Sequence, residues 1–372
     1  MRLIYLSPVP WASFAQRPHK FVAWFHVRTS AEVLWIEPYP TRLPAPADFA
    51  RLRRAAAAPT TAPPPWLHVL RARALPIEPL PGSGWVNAAL WAPVLAAAGE
   101  FAAAGSTLLA VGKPSLLALQ LLQRLAHCGS LYDAMDDFPA FYRGVSRWAM
   151  RRREQLLAQR VDALWASSSA LAQRWAGLRS DAQLVPNGLD AALLPAARHR
   201  GPRIGAQVFG YVGTMAAWFD WELVVALARA RPDDRVCLIG PLHGRAPAQL
   251  PRNVELLPEC GHAQALRAMG AFDVGLIPFK CNALTAGVDP IKYYEYRALG
   301  LPVVSTAFGE MALRRGDEAV FIVDRADDVA RAAARAAACG PAPDAAFTRL
   351  HRWEARFDGA RLPATRIAWQ FA

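Results

Sequence analysis

Short apolar runs alternate with amphipathic stretches along almost the whole chain. In the first half, the runs that read as buried strands include RLIYLSPV, EVLWIEP, TLLAVG and SLYDAMD. In the second half, the corresponding runs include VFGYVGT, RVCLIGP, DVGLIPF and LPVVST. Helical patterns such as PSLLALQLLQRLAHC lie between them. Strands that alternate with helices indicate βαβ units, in which helices cover both faces of a parallel sheet.

The alternation lapses at residues 191–207, where ALLPAARHRGPRIGAQ shows no regular period. We interpret this stretch as a linker between an N-terminal domain, residues 1–190, and a C-terminal domain, residues 208–345. Residues 346–372 read as terminal helices that pack back toward the N-terminal domain. The proline-rich segment from Pro38 to Pro65 breaks the pattern and predicts an insertion or a mobile loop.

The predicted fold class is therefore α/β, with two Rossmann-like doubly wound domains that face each other across a cleft. A chain of 372 residues is long enough for two ordinary cores. Ligands of such sheets bind outside the carboxyl ends of the strands. We therefore look for chemistry in the loops that follow strands.

Two stretches resemble membrane-targeting segments. The N-terminus, MRLIYLSPVP, is too short and too rich in proline for a signal peptide, and it predicts a first buried strand. The stretch from Trp85 to Gly112 is apolar but contains Asn87, Pro93 and Glu100, so we predict a buried helix followed by a strand. We expect a cytoplasmic protein, either free or peripheral on the inner face of the plasma membrane.

The net charge of +12 is concentrated in the first half of the chain. Residues 1–200 carry 22 Lys/Arg against 12 Asp/Glu, a net of +10. No nucleic-acid-binding motif accompanies this charge, which favours an anionic membrane or a lipid-phosphate substrate over nucleic acid. A basic face that serves solubility alone is the alternative. Two arginine clusters contribute most visibly: Arg51, Arg53 and Arg54, and Arg143, Arg147, Arg151, Arg152 and Arg153.

The five cysteines lie far apart and form no CxxC or Cys/His cluster. We therefore expect neither a disulfide framework nor a metal site, and no cofactor. Buried thiols in a reducing compartment are the simplest interpretation.

The most informative segment is DPIKYYEYRALGLPVVST, which begins at Asp289. Asp289 predicts a helix N-cap, and Gly300 predicts the left-handed residue that ends the helix. Lys292 and Glu295 are three residues apart and share one face near the N-terminal end, where the helix dipole attracts anions. The lysine can neutralise a diphosphate, and the carboxylate can accept hydrogen bonds from a ribose diol. A surface ion pair on an ordinary helix is the alternative.

The pattern E-x4-G-x-P-V-V, from Glu295 to Val304, resembles the donor-site helix of retaining GT-B glycosyltransferases of family 4. The form PIKYYEYRALGLPVVST resembles a bacterial subgroup of polysaccharide assembly, and the resemblance is strong from Leu131 onward. It implies a nucleotide diphosphate sugar as donor, no cofactor, and Glu295 as the residue that holds the nucleotide ribose.

The same resemblance extends to the loop after the first strand of the C-terminal domain, where Gly213 and Thr214 are expected to approach the donor phosphates. The sequence departs from the family here, since no arginine or lysine follows that strand. It departs again at Gly287, where many members have a glutamate that touches the sugar. Lys292, together with backbone N–H groups from Thr285 to Asp289, can take over part of the phosphate contact.

In the N-terminal domain, the run SLYDAMDDF places Asp133, Asp136 and Asp137 at a strand end. We predict Asp136 for chemistry, either as a general base or in place of the histidine that the family often has there. We predict Asp137 for structure, and helix capping is the alternative for both.

The first loop contains Trp11, Arg17 and His19, which fit a W…QRPH pattern of the subgroup. An aromatic ring with basic groups can bind an acceptor sugar or its lipid phosphate. A hydrophobic staple and helix start is the alternative. His19 has no suitably spaced partner for a metal.

The sequence thus predicts transfer of a glycosyl group to a saccharide or lipid-linked saccharide acceptor. Catalytic roles are predicted for Asp136 and Lys292. A nucleotide-sugar epimerase and a silent scaffold that binds a partner or saccharide are the alternatives. The missing phosphate clamp and the missing sugar-contacting glutamate make the silent scaffold plausible, and failure to bind any nucleotide would favour it. A nucleic-acid partner rests on charge alone.

Overall fold

The computed structural model describes residues 1–44, 62–195 and 204–363. Parts of the predicted insertion and linker lie outside the described residues, as do the first arginine cluster and the second predicted terminal helix. The described chain divides into two compact units. The N-terminal unit comprises Met1–Ser167, Leu171–Val185 and the residues from Phe357 onward, and the C-terminal unit comprises Ser168–Ala170 and Pro186–Arg356.

The N-terminal unit contains a sheet of seven strands in the order β3-β2-β1-β4-β5-β6-β7. All neighbouring strands run parallel. In chain order the strands are β1 (Arg2–Leu6), β2 (Glu32–Glu37), β3 (Leu67–Arg71), β4 (Thr107–Val111), β5 (Gly129–Ala134), β6 (Ala163–Ala166) and β7 (Gln183–Leu184).

Helices cover both faces of this sheet, as expected for βαβ units. They are α1 (Arg17–Thr29), α2 (Ser83–Ala103), α3 (Leu116–Arg124), α4 (Gly144–Arg160) and α5 (Ser169–Ala176). Helices α2, α3 and α4 pack through Trp91, Leu121 and Leu157 into one core cluster. Because side chains alternate along a strand, Tyr5 and Trp165 point to the other face, where they contact α1.

The C-terminal unit repeats the design with six parallel strands in the order β10-β9-β8-β11-β12-β13. They are β8 (Val208–Val212), β9 (Arg235–Ile239), β10 (Val254–Leu257), β11 (Val274–Ile277), β12 (Val303–Thr306) and β13 (Val320–Val323). The helices are α6 (Trp221–Ala230), α7 (His262–Met269), α8 (Ile291–Ala298), α9 (Val329–Cys339), α10 (Ala345–Leu350) and α11 (Trp353–Asp358). Helices α6 and α9 share one core cluster, and α7 and α8 share the other.

The strand order reverses once in each sheet, between β1 and β4 and between β8 and β11. At such switch points the loops after neighbouring strands diverge and leave a crevice at the carboxyl edge. The prediction of two Rossmann-like doubly wound domains is confirmed.

The last described residues, 357–363, belong to the N-terminal unit. The Phe357 ring packs against Phe21, Trp24 and Trp165. The indole of Trp165 donates a hydrogen bond to the carbonyl of Arg361 at 3.1 Å. This part of the chain thus completes the core on the α1 face of the sheet.

The expected end of α8 is confirmed, but its start differs. Gly300 follows the helix with φ of 77°, in the left-handed region where a side chain would be strained. At the other end Pro290 is the N-cap residue, and the prediction that Asp289 caps the helix is wrong. The Asp289 carboxylate instead accepts hydrogen bonds from Arg314, Tyr294 and the Asn187 backbone at 2.7–2.9 Å. A buried carboxylate needs such partners, and Arg314 compensates its charge.

A second buried ion pair joins α1 to β5. Arg17 is 3% exposed and Asp133 is 0% exposed. The Arg17 Nη2 lies 2.8 Å from an Asp133 carboxylate oxygen, and its Nη1 donates to the Val185 carbonyl at 2.8 Å. The predicted acceptor role of Arg17 does not fit this geometry, because the guanidinium is enclosed and neutralises a core carboxylate.

The apolar stretch that begins near Trp85 forms a helix and then a strand, as predicted. The prediction that the helix is buried is wrong. The stretch forms α2 and then β4, but only one face of α2 is buried. Trp91 is 0% exposed, whereas Trp85 is 85% exposed. Within the described part of the chain, α2 is the one helix whose length and apolar composition would allow it to cross a membrane.

We predict that Arg17→Met destabilises the N-terminal unit by about 3–5 kcal/mol, because it leaves the Asp133 carboxylate buried without compensation. Arg28→Met, which breaks an exposed pair with Asp358, is the matched control and costs about 1 kcal/mol or less. Urea unfolding measures both. A second change, Asp133→Asn in the Arg17→Met background, should restore part of the loss, and a further loss there would contradict the explanation.

Candidate functional site

The first candidate site is the crevice at the carboxyl edge of the C-terminal sheet, which we call the C-terminal crevice. It is formed by residues 213–220 after β8, residues 278–289 after β11 and the start of α8. Two backbone hydrogen bonds join its loops: Lys280 donates to Trp218 at 2.8 Å, and Asp220 donates to Pro278 at 2.7 Å. The two loops at the switch point are therefore held in a fixed relation.

Glu295 lies beside this crevice, in α8, with 3% of its surface exposed. Its carboxylate accepts a hydrogen bond from the Lys292 ammonium at 2.7 Å, so the predicted pair is formed. The other oxygen lies 3.2 Å from Nε2 of His262. Burial by itself raises the pKa of Glu295, but the charge of Lys292 and the hydrogen bonds from His262 and Lys292 outweigh it and hold the pKa below its usual range.

His262 is a functional candidate that the sequence analysis missed. It is the first residue of α7, in the connection that follows β10, and a quarter of its side chain is exposed. The signal that would have pointed to it is a histidine directly after a glycine at a strand-to-helix turn. Lys292, Glu295 and His262 thus form a cluster with one buried carboxylate and two partly exposed donors.

Gly213 and Thr214 follow β8 in the same crevice. Gly213 has φ of 154°, and a Cβ there would lie 2.7 Å from the Tyr211 hydroxyl oxygen, so only glycine fits. Its N–H donates to the Ile239 carbonyl and is not available to a ligand. The Thr214 hydroxyl and N–H have no partner among the described residues. The crevice therefore has space beside Gly213, and the Thr214 hydroxyl and N–H are donors that a ligand could use.

The loop after β11 contains Thr285 and Gly287, which are both predicted to bind the donor. The Thr285 side chain is buried and bonds to the backbone of Asn282 and Lys280, so it stabilises the turn. The N–H of Gly287 is unpaired as far as the described residues extend. Gly287 is the better candidate for ligand contact.

Lys280 is a second residue that the sequence analysis missed. It is exposed at the β8/β11 switch point, and its ammonium forms no ion pair with any described residue. As the sequence indicates, no arginine or lysine is present in residues 213–220 after β8. Asp220 caps α6 by accepting hydrogen bonds from the backbone N–H groups of Glu222 and Leu223. Lys280 places a cation at the neighbouring strand end of the same crevice.

The second candidate site is the crevice at the β1/β4 switch point, which we call the N-terminal crevice. Its polar lining comes from Ser7, Glu37, Thr41, Lys113 and Ser115. The Lys113 ammonium donates to the Tyr39 carbonyl at 3.3 Å. Burial lowers the pKa of Lys113 to about 8, with the charge of Glu78 opposing the shift. Ammonium, carboxylate and hydroxyl groups together suit a polyhydroxylated ligand.

Asp136 and Asp137 follow β5 at the same sheet edge. Asp137 forms an ion pair with Arg174 at 2.7 Å, in keeping with a structural role. Asp136 is half-buried, and its carboxylate has no hydrogen-bond partner within the described ranges. Burial raises the pKa of Asp136 to about 7; Arg17 opposes the shift, and Asp133 and Asp137 add to it. This carboxyl can exchange a proton near neutral pH.

The loop between β1 and α1 is stabilised by two hydrogen bonds of the His19 ring. The Gln16 N–H donates to Nδ1 of His19 at 3.2 Å, so Nε2 carries the proton and donates to the Trp11 carbonyl at 3.1 Å. Burial lowers the pKa of His19, which favours the neutral ring. His19 therefore positions the loop. Trp11 is partly exposed, and Phe14 is 68% exposed, so these rings are the ones a ligand can reach.

Among the described residues, no group of three or more His, Cys, Asp or Glu side chains is arranged to hold a metal ion. All five cysteines are free thiols, and Cys128 and Cys237 are buried.

No family model matches the chain. One curated relative is 26% identical over 198 residues, which is 47% of this chain and 50% of the relative. It is provisionally named the teichuronic acid biosynthesis glycosyltransferase TuaH of Bacillus subtilis (strain 168). The match thus spans about half the length of that relative.

Solved glycosyltransferase structures resemble almost the whole chain. Anabaena HepE in complex with UDP-glucose aligns with a TM-score of 0.61 at 15% identity, over 96% of this chain and 97% of its own. The lipopolysaccharide outer core galactosyltransferase WaaB has the same TM-score at 11% identity, over 96% and 98%. A UDP-forming trehalose-phosphate synthase from Burkholderia vietnamiensis gives 0.59 at 14%, over 96% and 95%. The chain therefore has the GT-B fold.

We predict that Asp136→Asn stabilises the protein increasingly as the pH rises from about 4 to 7. The native carboxyl keeps its proton up to a pKa of about 7, whereas the unfolded one loses it near 4, so the wild type loses stability across this window. The gain should reach about 1–3 kcal/mol, since the group is only half-buried.

Thermal unfolding at four pH values between 4.5 and 7.5 tests this prediction. The control is Asp181→Asn, because the Arg179 hydrogen bond lowers the pKa of Asp181 and its contribution changes only below about pH 4. Parallel curves for the wild type and Asp136→Asn would contradict the assignment.

Proposed function

We propose that this protein is a glycosyltransferase that moves a sugar from a nucleotide diphosphate sugar to a saccharide or lipid-linked saccharide acceptor. The observation that carries the proposal is the buried Glu295 carboxylate, held by Lys292 and His262 beside a switch-point crevice of a GT-B fold. Such a carboxylate is ionised and oriented, as an acceptor for two ribose hydroxyls must be.

The donor diphosphate would lie over the start of α8 and the loops of the C-terminal crevice. Lys292 and Lys280 supply positive charge, and Thr214 and Gly287 supply N–H groups without protein partners. The bond between the sugar and the diphosphate breaks, and negative charge develops on the departing nucleoside diphosphate. Fixed cations and N–H donors stabilise that charge without a cofactor or a metal ion.

The acceptor would bind in the N-terminal crevice. Lys113 and Glu37 offer a donor and an acceptor to sugar hydroxyls, and Trp11 offers an aromatic surface. Asp136, with its pKa of about 7, would take the proton of the attacking hydroxyl or contact the transferred sugar. The resemblance to family 4 supports a retaining hexosyl transfer, and the anomeric configuration of the product distinguishes the two roles.

The relatives guide the choice of substrates to test. HepE was solved with UDP-glucose, and the trehalose-phosphate synthases are described as UDP-forming, so UDP is the first nucleotide. The name of TuaH refers to teichuronic acid biosynthesis and that of WaaB to the lipopolysaccharide outer core, which supports a role in cell-surface polysaccharide synthesis. We accordingly propose a cytoplasmic enzyme, peripheral on the inner face of the plasma membrane.

A silent scaffold is the second candidate function. It is favoured by the glycine at position 287 and by the absence of a basic residue after β8. Such a scaffold would bind a partner or a saccharide without a donor nucleotide. An epimerase would bind the nucleotide sugar but change it in the absence of any acceptor.

We predict that UDP raises the unfolding temperature of the wild type and that Glu295→Gln weakens UDP binding about tenfold or more. A charged hydrogen bond contributes about 1.5–3 kcal/mol, and the amide also loses the attraction to Lys292. Thermal shift and calorimetry with UDP, GDP, ADP and TDP provide the measurement. Glu255→Gln is the control, because Glu255 pairs with Arg235 on an exposed strand of the same unit. Absence of a shift with every nucleotide would favour the silent scaffold.

We predict further that Asp136→Asn lowers turnover about 10²- to 10⁴-fold while UDP affinity stays unchanged. The pH–rate profile of the wild type should rise with an apparent pKa near 7, and that limb should disappear in the variant. Product release is followed by chromatography and the anomer by NMR. Full turnover in Asp136→Asn would remove Asp136 from the mechanism.

A further inference from the structure

Helix α2 exposes an apolar face to solvent. Trp85 is 85% exposed, Val86 is 43% exposed and Leu90 is 38% exposed. The other exposed positions before Glu100 are Ala89, Ala92, Pro93 and Ala96. No charged side chain interrupts the helix from Ser83 to Gly99. A contiguous apolar face of this kind marks a binding surface rather than an ordinary solvent face.

The opposite face of α2 is anchored in the core. Trp91, Val94 and Leu95 are buried in the cluster shared with α3 and α4. Asn87 is 0% exposed and bonds to the backbone of Leu75. The helix therefore lies along the surface of a folded unit, with one side packed and the other side without a partner in the described structure.

Helix α4 carries a second exposed patch in its first half. Phe141, just before the helix, is 48% exposed, Val145 is 54% exposed and Trp148 is 61% exposed. Four exposed arginines surround these side chains: Arg143, Arg147, Arg151 and Arg152. None of the four forms an ion pair with a described residue. The guanidinium carbon of Arg152 lies 5.6 Å from the Trp148 ring centroid.

The two patches belong to one layer of the N-terminal unit. Helix α3 packs between α2 and α4. Glu78 joins them directly, because its carbonyl accepts a hydrogen bond from Ser83 at 2.8 Å and its carboxylate lies 3.4 Å from Nε of Arg153. Helices that follow parallel strands begin at the carboxyl edge of the sheet, so both patches lie toward the edge that holds the N-terminal crevice.

We propose that these residues, the α2–α4 surface, bind the interface of an anionic lipid bilayer. Apolar and tryptophan side chains would enter the boundary between headgroups and acyl chains, and the four arginines would contact lipid phosphates. The occupant is chosen by charge complementarity, since the exposed charged side chains around the α4 patch are all arginines. A partner protein would require matching carboxylates, whereas an anionic membrane presents phosphates across its whole area.

The surface continues into the N-terminal crevice. Tyr39 lines the crevice, and its ring packs against Trp91 of α2 with centroids 5.7 Å apart. Lys113, in the same crevice, donates to the Tyr39 carbonyl. A saccharide carried on a membrane lipid would therefore reach the crevice while the α2–α4 surface rests on the bilayer. This part of the inference rests on the proposed glycosyl transfer and identifies the acceptor as lipid-linked.

Vesicle co-sedimentation of the full chain tests the inference. We expect binding to vesicles of phosphatidylcholine with about 30% phosphatidylglycerol, weak binding to pure phosphatidylcholine, and loss of binding as salt screens the arginines. The pair Trp85→Ser and Trp148→Ser should lower the partition coefficient about tenfold or more. The pair Arg147→Gln and Arg151→Gln should lower it about fivefold for each charge removed.

Two control pairs use exposed residues outside the two patches; one of them, Arg160, is at the opposite end of α4 from Trp148. Val27→Ser with Leu313→Ser removes apolar side chains that are 76% and 68% exposed, and Arg160→Gln with Arg229→Gln removes exposed charges. Both control pairs should bind vesicles as the wild type does. Circular dichroism checks that every variant is folded.

Equal vesicle binding by the tryptophan pair and the wild type would overturn the inference. So would a wild-type dimer, measured by light scattering, that the tryptophan pair converts to monomer without any vesicle binding, since a second copy would then be the occupant. The UDP shift is measured on the same variants. Absence of a shift with UDP, GDP, ADP and TDP in the wild type would count against the glycosyl transfer, whereas a nucleotide shift without vesicle binding would refute the membrane surface alone.

Discussion

Parallel strand pairing is the constraint from which the rest of this protein follows. Every strand in both sheets runs parallel to its neighbours, so all carboxyl ends in a unit meet at one edge. Buried strands leave no room for polar chemistry in their interiors, and the loops at that edge collect it. The groups that can bind a substrate therefore lie at the ends of β1, β2, β4 and β5 in one unit and of β8, β10 and β11 in the other. The reversal of strand order opens a crevice at that edge in each unit.

The partners of the carboxylates at these edges separate structural from chemical roles. Asp133 and Asp289 each face an arginine that compensates a core charge, and removing either partner would leave a charge in low dielectric. Glu295 faces a lysine and a histidine that are themselves partly exposed, so its hydrogen bonds can be shared with a ligand. Asp136 has no hydrogen-bond partner in the described structure, and burial is the largest cause that raises its pKa to about 7.

In the outer layer of the N-terminal unit, the composition of α2 predicts a helix that is buried on all sides, but the structure buries only one of its faces. The stretch that begins at Trp85 is apolar throughout, which is typical of a buried helix. In the structure, α2 buries Asn87 and Trp91 and exposes Trp85, because the layer of helices on the sheet covers only one side of it. The arginine-rich face of α4 lies in the same layer, and the two faces together form the α2–α4 surface. An apolar face with a cationic rim fits an anionic bilayer.

The sequence by itself determined the α/β class, the two doubly wound units, the end of α8 at Gly300 and the pairing of Lys292 with Glu295. Each of these follows from local periodicity, from the conformational freedom of glycine or from the three-residue spacing of a helix. Tertiary structure decided the rest. It enclosed Arg17 against Asp133, used Asp289 as a network carboxylate in place of a cap, and brought His262, Lys280 and Lys113 to the crevices. These contacts join residues from 25 to 116 positions apart in the chain, and no local pattern encodes which distant side chain will meet a buried charge.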